Sequence, residues 1–439
     1  MKAHKITPRL LVLLAAILFA QHADAQGFVL PGVGTVNRSM GGAAVAAPLD
    51  AAGAIHWNPA TITGLPSSEF VVSCELLALD AQTSSTLGPL SGTTSSDSGV
   101  FPLPAVAIAF QPEDSSWSYG LGLYSIGGFG FNFPASDPTA PGFNPIFTPQ
   151  PPLGAGAGAV YSRLSLMQLA PTIAVQLTDK ISIGVAPTVS MADAALDPAA
   201  LAWTDNADGI FPPTVPSATH GRIFWGLGFQ AGIYYESDSC YTLGASFKSP
   251  QWFEDFHFNS ADELGRPRTI GLDADYPMII SVGGAFHGIP GLVCAVDVRY
   301  VDYSNTDAFG DDTGFEIAAP NARVTGLGWR SVIAVATGLQ YELTDRLTLR
   351  LGYSYNENPI RDSDTFFNLA SPAIYEHIAS VGGSLWLTDR TKLSFAYLHA
   401  FENSISGPIN LAGVGPVPGT DITTNVSVDA LVAGLEVRF

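Results

Sequence analysis

The stretch Leu347-Thr348-Leu349-Arg350-Leu351-Gly352-Tyr353-Ser354-Tyr355-Asn356 decides the fold. Large apolar or aromatic side chains take every second position, with threonine, arginine, glycine, serine and asparagine between them. A β-strand turns successive side chains to opposite faces, so this stretch has one greasy face and one of small or polar groups. The same period recurs upstream, where Ile333, Val335, Leu339, Tyr341 and Leu343 oppose Ala334, Ala336, Gly338, Gln340 and Glu342. Leu227, Phe229, Ile233 and Tyr235 alternate with Gly226, Gly228, Gln230, Gly232 and Glu236, and the chain ends on Leu431, Ala433, Leu435, Val437 and Phe439 against Val432, Gly434, Glu436 and Arg438. A soluble sheet with one wet face also alternates. Its polar face normally carries many Lys and Glu, whereas this one carries Gly, Ala and Ser. Small inward residues suit a barrel lumen crowded by a plug or by its own side chains.

The turns sharpen the choice. Leu-Thr-Asp-Lys at 177–180 and Leu-Thr-Asp-Arg at 343–346 and 387–390 are near-identical tight connections, and three more are read at 112–116, 236–239 and 287–291. Between them lie stretches rich in Pro, Gly, Asn and Asp, near 80–99, 127–160, 196–220, 254–268, 305–328, 358–374 and 407–423. Short turns and long loops in strict alternation are the outer-membrane pattern of periplasmic turns and extracellular loops. The reading is all-β, a 14-stranded antiparallel transmembrane β-barrel over 67–439 with both termini periplasmic. Strands are predicted near 68–79, 100–111, 117–127, 162–177, 180–195, 221–237, 240–253, 269–286, 292–304, 329–343, 346–357, 375–387, 391–405 and 424–439. A lumen that wide leaks unless something fills it.

The beginning of the chain agrees. Lys2, Lys5 and Arg9 precede an apolar run from Leu10 to Ala20, and Ala23-Asp24-Ala25 offers small residues where a signal peptidase reads them. Residues 1–25 therefore read as a secretory signal peptide, with Gln26 first in the mature chain. The formal net charge is −20, which argues against nucleic acid as a partner. Charged residues are only 13% of the chain, about half the usual soluble share. Cys74, Cys240 and Cys294 lie far apart, with no CxxC and no metal spacing, so no disulfide framework, metal or cofactor is read. His56, His220, His257, His287, His377 and His399 are scattered without a catalytic partner at motif spacing, so no enzyme is read either.

Residues 26–66 precede the first strand and do not alternate. They carry Gly27-Phe28-Val29-Leu30, the Gly/Ala-rich run Gly41 to Ala47, and His56-Trp57-Asn58-Pro59-Ala60. Irregular backbone is tolerated at membrane depth only where protein or water satisfies it, so residues 26–66 read as a hatch packed inside the barrel, with a soluble periplasmic linker as the alternative. With Gly244-Ala245-Ser246-Phe247-Lys248-Ser249-Pro250, Gly352 to Asn356, Val381-Gly382-Gly383-Ser384 and the terminal Phe439, the chain resembles the FadL/TodX family of outer-membrane transporters of long-chain fatty acids and aromatic hydrocarbons. The resemblance implies a hatch formed by Phe28, Val29, Leu30, Asn58, Pro59 and Ala60, and recognition of Phe439 by the barrel-assembly machinery. It also implies an inward kink in the third strand at Gly127 and Gly128, opening the wall for lateral release into the membrane. A flexible strand end entering its loop fits the same glycines.

Two loops bear apolar clusters. Phe129, Phe131, Phe133, Phe143, Ile146 and Phe147 belong to one, and Leu201, Trp203, Ile210 and Phe211 to the other. They read either as a landing surface for hydrophobic solute or as packing over the barrel mouth. Arg163, Arg222, Arg323 and Arg330 are candidates to meet a fatty-acid carboxylate. The acidic Asp193 and Asp197 tilt the reading toward neutral solutes. The expected partners are a small hydrophobic substrate, outer-membrane lipid and lipopolysaccharide around a monomer. A hydrophilic porin or an adhesin barrel is the alternative.

Overall fold

The computed structural model describes residues 26–151 and 153–439; the expected signal peptide lies outside them. Fourteen strands form the wall. They are β1 Glu69–Leu87, β2 Val100–Phe110, β3 Trp117–Phe133, β4 Val160–Thr178, β5 Ile181–Asp197, β6 Phe224–Glu236 and β7 Tyr241–Lys248. The remainder are β8 Met278–Ile289, β9 Leu292–Asp302, β10 Val332–Glu342, β11 Leu347–Asn356, β12 His377–Trp386, β13 Thr391–Gly407 and β14 Thr420–Arg438. Each pairs antiparallel with the next in chain order, and β14 closes on β1 from Glu69↔Arg438 to Leu87↔Thr420. Closure matters because an open edge would leave unpaired N–H and C=O groups in lipid. Among the described residues, no helix is long and apolar enough to cross a membrane.

The burial pattern inverts that of a soluble protein. On β11, Leu351 is 57% exposed and its neighbour Arg350 only 4%. The arginine points into the lumen, where its guanidinium donates to Gln340 at 2.7 Å and to Ser384 at 2.6 Å. The repeated Leu-Thr-Asp turns have a local cause. In each, the threonine hydroxyl accepts a backbone N–H from three residues on, as Thr178 does from Ile181, Thr344 from Leu347 and Thr388 from Thr391, at 3.0–3.1 Å.

The first and third strands run past their expected ends, to Leu87 and Phe133, and two others are shorter than expected. The stretch 269–286 enters the wall only at Met278, because Pro267–Leu272 pairs with Phe256–Ala261 as a separate hairpin. The stretch 240–253 leaves the wall at Lys248, just before Pro250, although Trp252–Phe253 still pairs with β6. The remaining long loops fold on themselves too. Phe315–Ala318 pairs with Asn321–Val324, and Leu90–Ser95 pairs with the extended end of β1.

Residues 26–66 lie inside the wall and are almost wholly buried. Two short helices, α1 Thr35–Ser39 and α2 Ala51–Trp57, are followed by a 3-10 turn, Pro59–Gly64. Asp50 caps α2, its carboxylate accepting from the Gly53 amide at 2.9 Å. The lumen makes room by omitting side chains. A Cβ at Gly184 would strike Pro59 and Ala60, and one at Gly232 would strike Asn58. Gly244 faces Val45, Gly338 faces Met40, Gly352 faces Gly41, and Gly434 faces Thr35 in the same way. These glycines serve close approach rather than turning.

Candidate functional site

Polar wall residues hold the inner segment by its backbone. Asp297 on β9 accepts from the Ala44 and Val45 amides at 2.8 and 3.0 Å and pairs with Arg299 at 3.0 Å. Arg299 donates to the carbonyls of Gly42, at 2.5 Å, and Pro31, at 3.2 Å, and its guanidinium lies 3.5 Å from the Trp57 ring centroid. Arg38 on α1 grips Glu75 on β1 bidentately, with Nε donating at 2.8 Å. Asn58 uses its whole amide: Nδ2 donates to Val45 and Ile233 carbonyls at 2.8 and 3.0 Å, and Oδ1 accepts from the Ala60 amide at 3.1 Å. Pro59 then opens the 3-10 turn with its φ already set.

The tip of the segment is held differently. Phe28 sits in an aromatic nest with ring centroids of Phe309 at 4.5 Å, Tyr303 at 5.5 Å, and Tyr276 and Trp329 at 5.8 Å. The backbone of residues 28–30 pairs with β3 as a short extra strand. The Leu30 amide donates to the Ile126 carbonyl at 3.0 Å, and the Gly128 amide to the Phe28 carbonyl at 2.9 Å.

At this point the wall parts. The β2–β3 ladder starts at Phe110↔Tyr119 and stops at Ala105↔Tyr124, while β2 stays paired with β1 up to Val100. The other edge of β3 stays paired with β4 to Phe133↔Val160, across a bulge between Ser125 and Gly127. Residues 126–131 are therefore drawn from β2 toward the inner segment, and the seam closes again at Asn132, whose carbonyl accepts from the Asp97 amide at 2.8 Å. Gly128 takes φ +147°, and a Cβ at Gly127 would lie 2.8 Å from the Phe28 carbonyl oxygen. Across the parting, Phe101 on β2 lies over Gly130, where a Cβ would come within 2.5 Å of its ring. On the same strand the β1–β2 register passes Pro102 and Pro104 without a shift. The N–H groups these prolines lack thus fall on the β3 side, along the open edge.

Apolar space lies behind the parting. A cavity of about 260 Å³ is lined by Leu30, Phe101, Leu103, Gly128, Phe131 and Tyr375. Through Phe129, Arg163 and Leu164 it borders a second cavity, of about 110 Å³, lined by Phe253, Phe256, Leu272, Asp273, Asp275 and Phe309. That one shares Ala200, Val324, Phe367 and Ala370 with an outer groove of about 430 Å³ among the loops, which includes Ile146, Phe211, Val215 and Phe315. The three spaces line up from loop surface to parted wall.

The aromatics expected in loops sort by place, and three of them, Phe129, Phe131 and Phe133, lie not in a loop but on the end of β3, paired with β4. Phe129 and Leu201 line the cavities and are half-buried; Phe211 is exposed in the outer groove. Phe131, Phe133 and Phe147 are buried and stacked, with centroids 6.2 and 5.1 Å apart, and Phe131 also borders the inner cavity. Phe143 is half-buried in its loop, and Trp203 lies beneath Arg323, whose guanidinium is 5.2 Å from its ring. Phe439 ends the wall, its amide donating to Ser68. The candidate arginines are engaged: Arg163 with Asp193 at 2.9 Å, Arg222 with Glu254 at 2.6 Å, Arg323 with Glu316 at 2.7 Å, and Arg330 with the Asn358 carbonyl. Burial pushes Asp275 up to about 6, against the hydrogen bond from the Phe253 amide, and Asp307 and Asp273 add to the rise. Among the described residues, no cluster of three His, Cys, Asp or Glu is placed to hold a metal ion.

Sequence reasoning did not find Asp297, Arg299, Phe101 or the Asp273–Asp275 pair. Gly130, a third glycine in the strand that carries Gly127 and Gly128, was the one local signal for the Phe101 contact.

The model of one family, described as outer membrane protein transport protein (OMPP1/FadL/TodX), matches residues 16–439. Among solved structures, the chain is similar to the Pseudomonas putida toluene transporter TodX, with 16% identity, TM-score 0.68, and 93% of this chain and 99% of that one covered. It is similar to the Ralstonia pickettii toluene transporter TbuX at 16% identity and TM-score 0.67, over 93% and 99% of the two chains. A Pseudomonas aeruginosa FadL homologue aligns at 16% identity and TM-score 0.68, covering 93% and 98%. No curated protein matches the chain in sequence.

Proposed function

We propose, on the premise that this chain belongs to the FadL/TodX family of outer-membrane transport proteins, that it admits small hydrophobic molecules passively and releases them sideways into the membrane. Solute lands on the loop groove near Phe211 and moves through the half-buried cavity at Phe129 and Leu201. It collects behind the parted wall and leaves between β2 and β3 when residues 28–30 shift. The observation that carries this reading is the end of the β2–β3 ladder at Ala105↔Tyr124 with an apolar cavity directly behind it. A hydrophilic pore needs a polar, open constriction, whereas this lumen is filled by residues 26–66 and its free space is apolar. The toluene transporters of similar fold support a neutral aromatic hydrocarbon as the substrate class. So does the carboxylate pairing of the cavity-lining Arg163, which leaves it a poor partner for a fatty-acid anion.

Uptake of labelled toluene and labelled oleate, measured in cells with and without the protein, tests this beside conductance in planar bilayers. Toluene uptake with low conductance is expected; high steady conductance without hydrocarbon uptake would favour the porin. Gly128→Leu adds a side chain against the Leu164 carbonyl at a φ that L-residues avoid, so β3 must change path. Toluene uptake should fall about tenfold or more, roughly 1.4 kcal/mol in the permeation barrier, while the barrel stays folded. Unchanged uptake in that variant would remove the lateral exit.

A further inference from the structure

The tip of the inner segment begins at a residue with unusual surroundings. Gln26 is fully buried, and its side-chain Nε2 and Oε1 have no hydrogen-bond partner among the described residues. Its own carbonyl accepts from the Tyr303 hydroxyl at 2.8 Å. The next residue, Gly27, has no room for a Cβ, which would lie 2.7 Å from the Trp329 ring and the Tyr303 hydroxyl. Phe28 then enters the aromatic nest. The expected cleavage after Ala23-Asp24-Ala25 makes Gln26 the residue that carries the free α-amino group. That group is an ammonium at neutral pH, and an unpaired ammonium is among the costliest groups to enclose in apolar surroundings. Asp302, next in chain to Tyr303, is engaged with Asn305 and Ser331. Asp364, beside Gly328, takes Thr313 through Oδ1, and its buried Oδ2 has Arg361 at 3.8 Å and no hydrogen bond.

We propose that Gln26, once exposed by signal cleavage, closes into an N-terminal pyroglutamyl lactam, so that the tip docks in its aromatic nest without charge. The chemistry is internal to one residue. The neutral α-nitrogen attacks Cδ of its own side chain, forming the Nα–Cδ bond. The Cδ–Nε2 bond breaks, and Nε2 leaves as ammonia, taking a proton from the α-nitrogen. Neither an oxidant nor a second substrate is consumed. Closure removes the ammonium and one of the two unpartnered amide atoms together, and it leaves a compact neutral ring. The inference rests on residues 26–66 acting as a hatch, and it adds a modification that keeps the tip apolar next to a path for uncharged solutes. A free ammonium there would offer an acidic solute a counter-ion; the lactam withdraws it.

The mature protein is denatured in freshly isolated outer membranes and its free amines are dimethylated at once, before purification and digestion, so that later cyclisation is excluded. The N-terminal peptide is then weighed. A peptide beginning at residue 26, unlabelled and lighter than its encoded mass by one ammonia, is expected. A dimethylated Gln26 terminus, or a mature chain beginning elsewhere, would overturn the inference. Gln26→Ala keeps the amine and cannot cyclise. Its toluene uptake should fall severalfold, with readier proteolysis of residues 26–66, while the folded barrel band persists on unheated gels. Uptake and protection equal to those of the parent would show that the neutral tip does not matter. The mass measurement involves no transport, so a free terminus sinks this inference and leaves the lateral-exit reading standing.

Discussion

The two ends of the inner segment meet the wall in unlike ways. Residues 42–58 are bound by fixed charges and fitted against glycines: Asp297 and Arg299 grip their backbone, and Asn58 ties Val45 to β6. Residues 28–30 have two backbone hydrogen bonds to β3 and an aromatic nest, with no ion pair among the described contacts. The first attachment is directional and expensive to break, because parting a buried pair strands a charge. The second is made of ring contacts, each worth on the order of 1 kcal/mol, that re-form after a small shift. One segment can thus seal a lumen at its body and yield at its tip.

The comparison breaks most severely at Arg299. Arg299→Ala leaves Asp297 buried without its partner, a change that costs roughly 3–5 kcal/mol. Residues 26–66 should become open to protease in the assembled barrel, and steady conductance should appear in bilayers. A protected segment and a quiet bilayer in this variant would mean that the anchor lies elsewhere. Lys180→Ala, which removes an exposed pair with Asp238 at a short turn, serves as the control and should change neither.

Phe101 sharpens the other half. With its ring removed in Phe101→Ala, the space above Gly130 opens, and bicyclic hydrocarbons should enter cells about fivefold faster, roughly 1 kcal/mol, with toluene less affected. Phe101→Trp should slow both. Equal rates for one-ring and two-ring solutes in all three proteins would exclude Phe101 from the exit.

The smallest effect concerns Asp275. Its carboxyl is held near 6, above the value of about 4 for an unfolded chain, so the folded protein keeps that proton more tightly. Stability from this group is present at low pH and is lost as pH rises through about 6. The same rise puts a charge on an apolar cavity. Toluene binding, followed by displacement of a fluorescent hydrocarbon, should weaken about twofold from pH 5 to pH 8, roughly 0.4 kcal/mol. Asp275→Asn should flatten the profile; a slope that survives the substitution assigns it to another group.

Much of the wall was legible because a strand's two faces are written in adjacent residues. Leu349, Leu351 and Tyr353 declare the lipid side, and the Leu-Thr-Asp turns mark where strands end. The period fails where a loop builds its own hairpin. Pro267–Leu272 alternates as a wall strand does, and only its partner, Phe256–Ala261, reveals the difference. The site was less legible. Gly127 and Gly128 mark a departure from ordinary strand geometry, but its direction is set by the backbone of residues 28–30, about a hundred positions earlier. Asp297 and Arg299 show in sequence that they face inward, not what they hold. Phe133 and Phe211 are the same residue type in stretches that read alike as loops, yet one ends β3 buried in a stack and the other stands in solvent. Composition does not separate them.

Pro102 and Pro104 bear on how such a wall survives in a crowded membrane. A bare strand margin is a template on which any passing extended chain can dock, and repeated docking turns a monomer into an aggregate. With two of its donors deleted, the β2 margin offers a neighbour acceptors without the matching donors. A seam proposed to stand ajar for a small molecule can then still make a poor partner for another backbone.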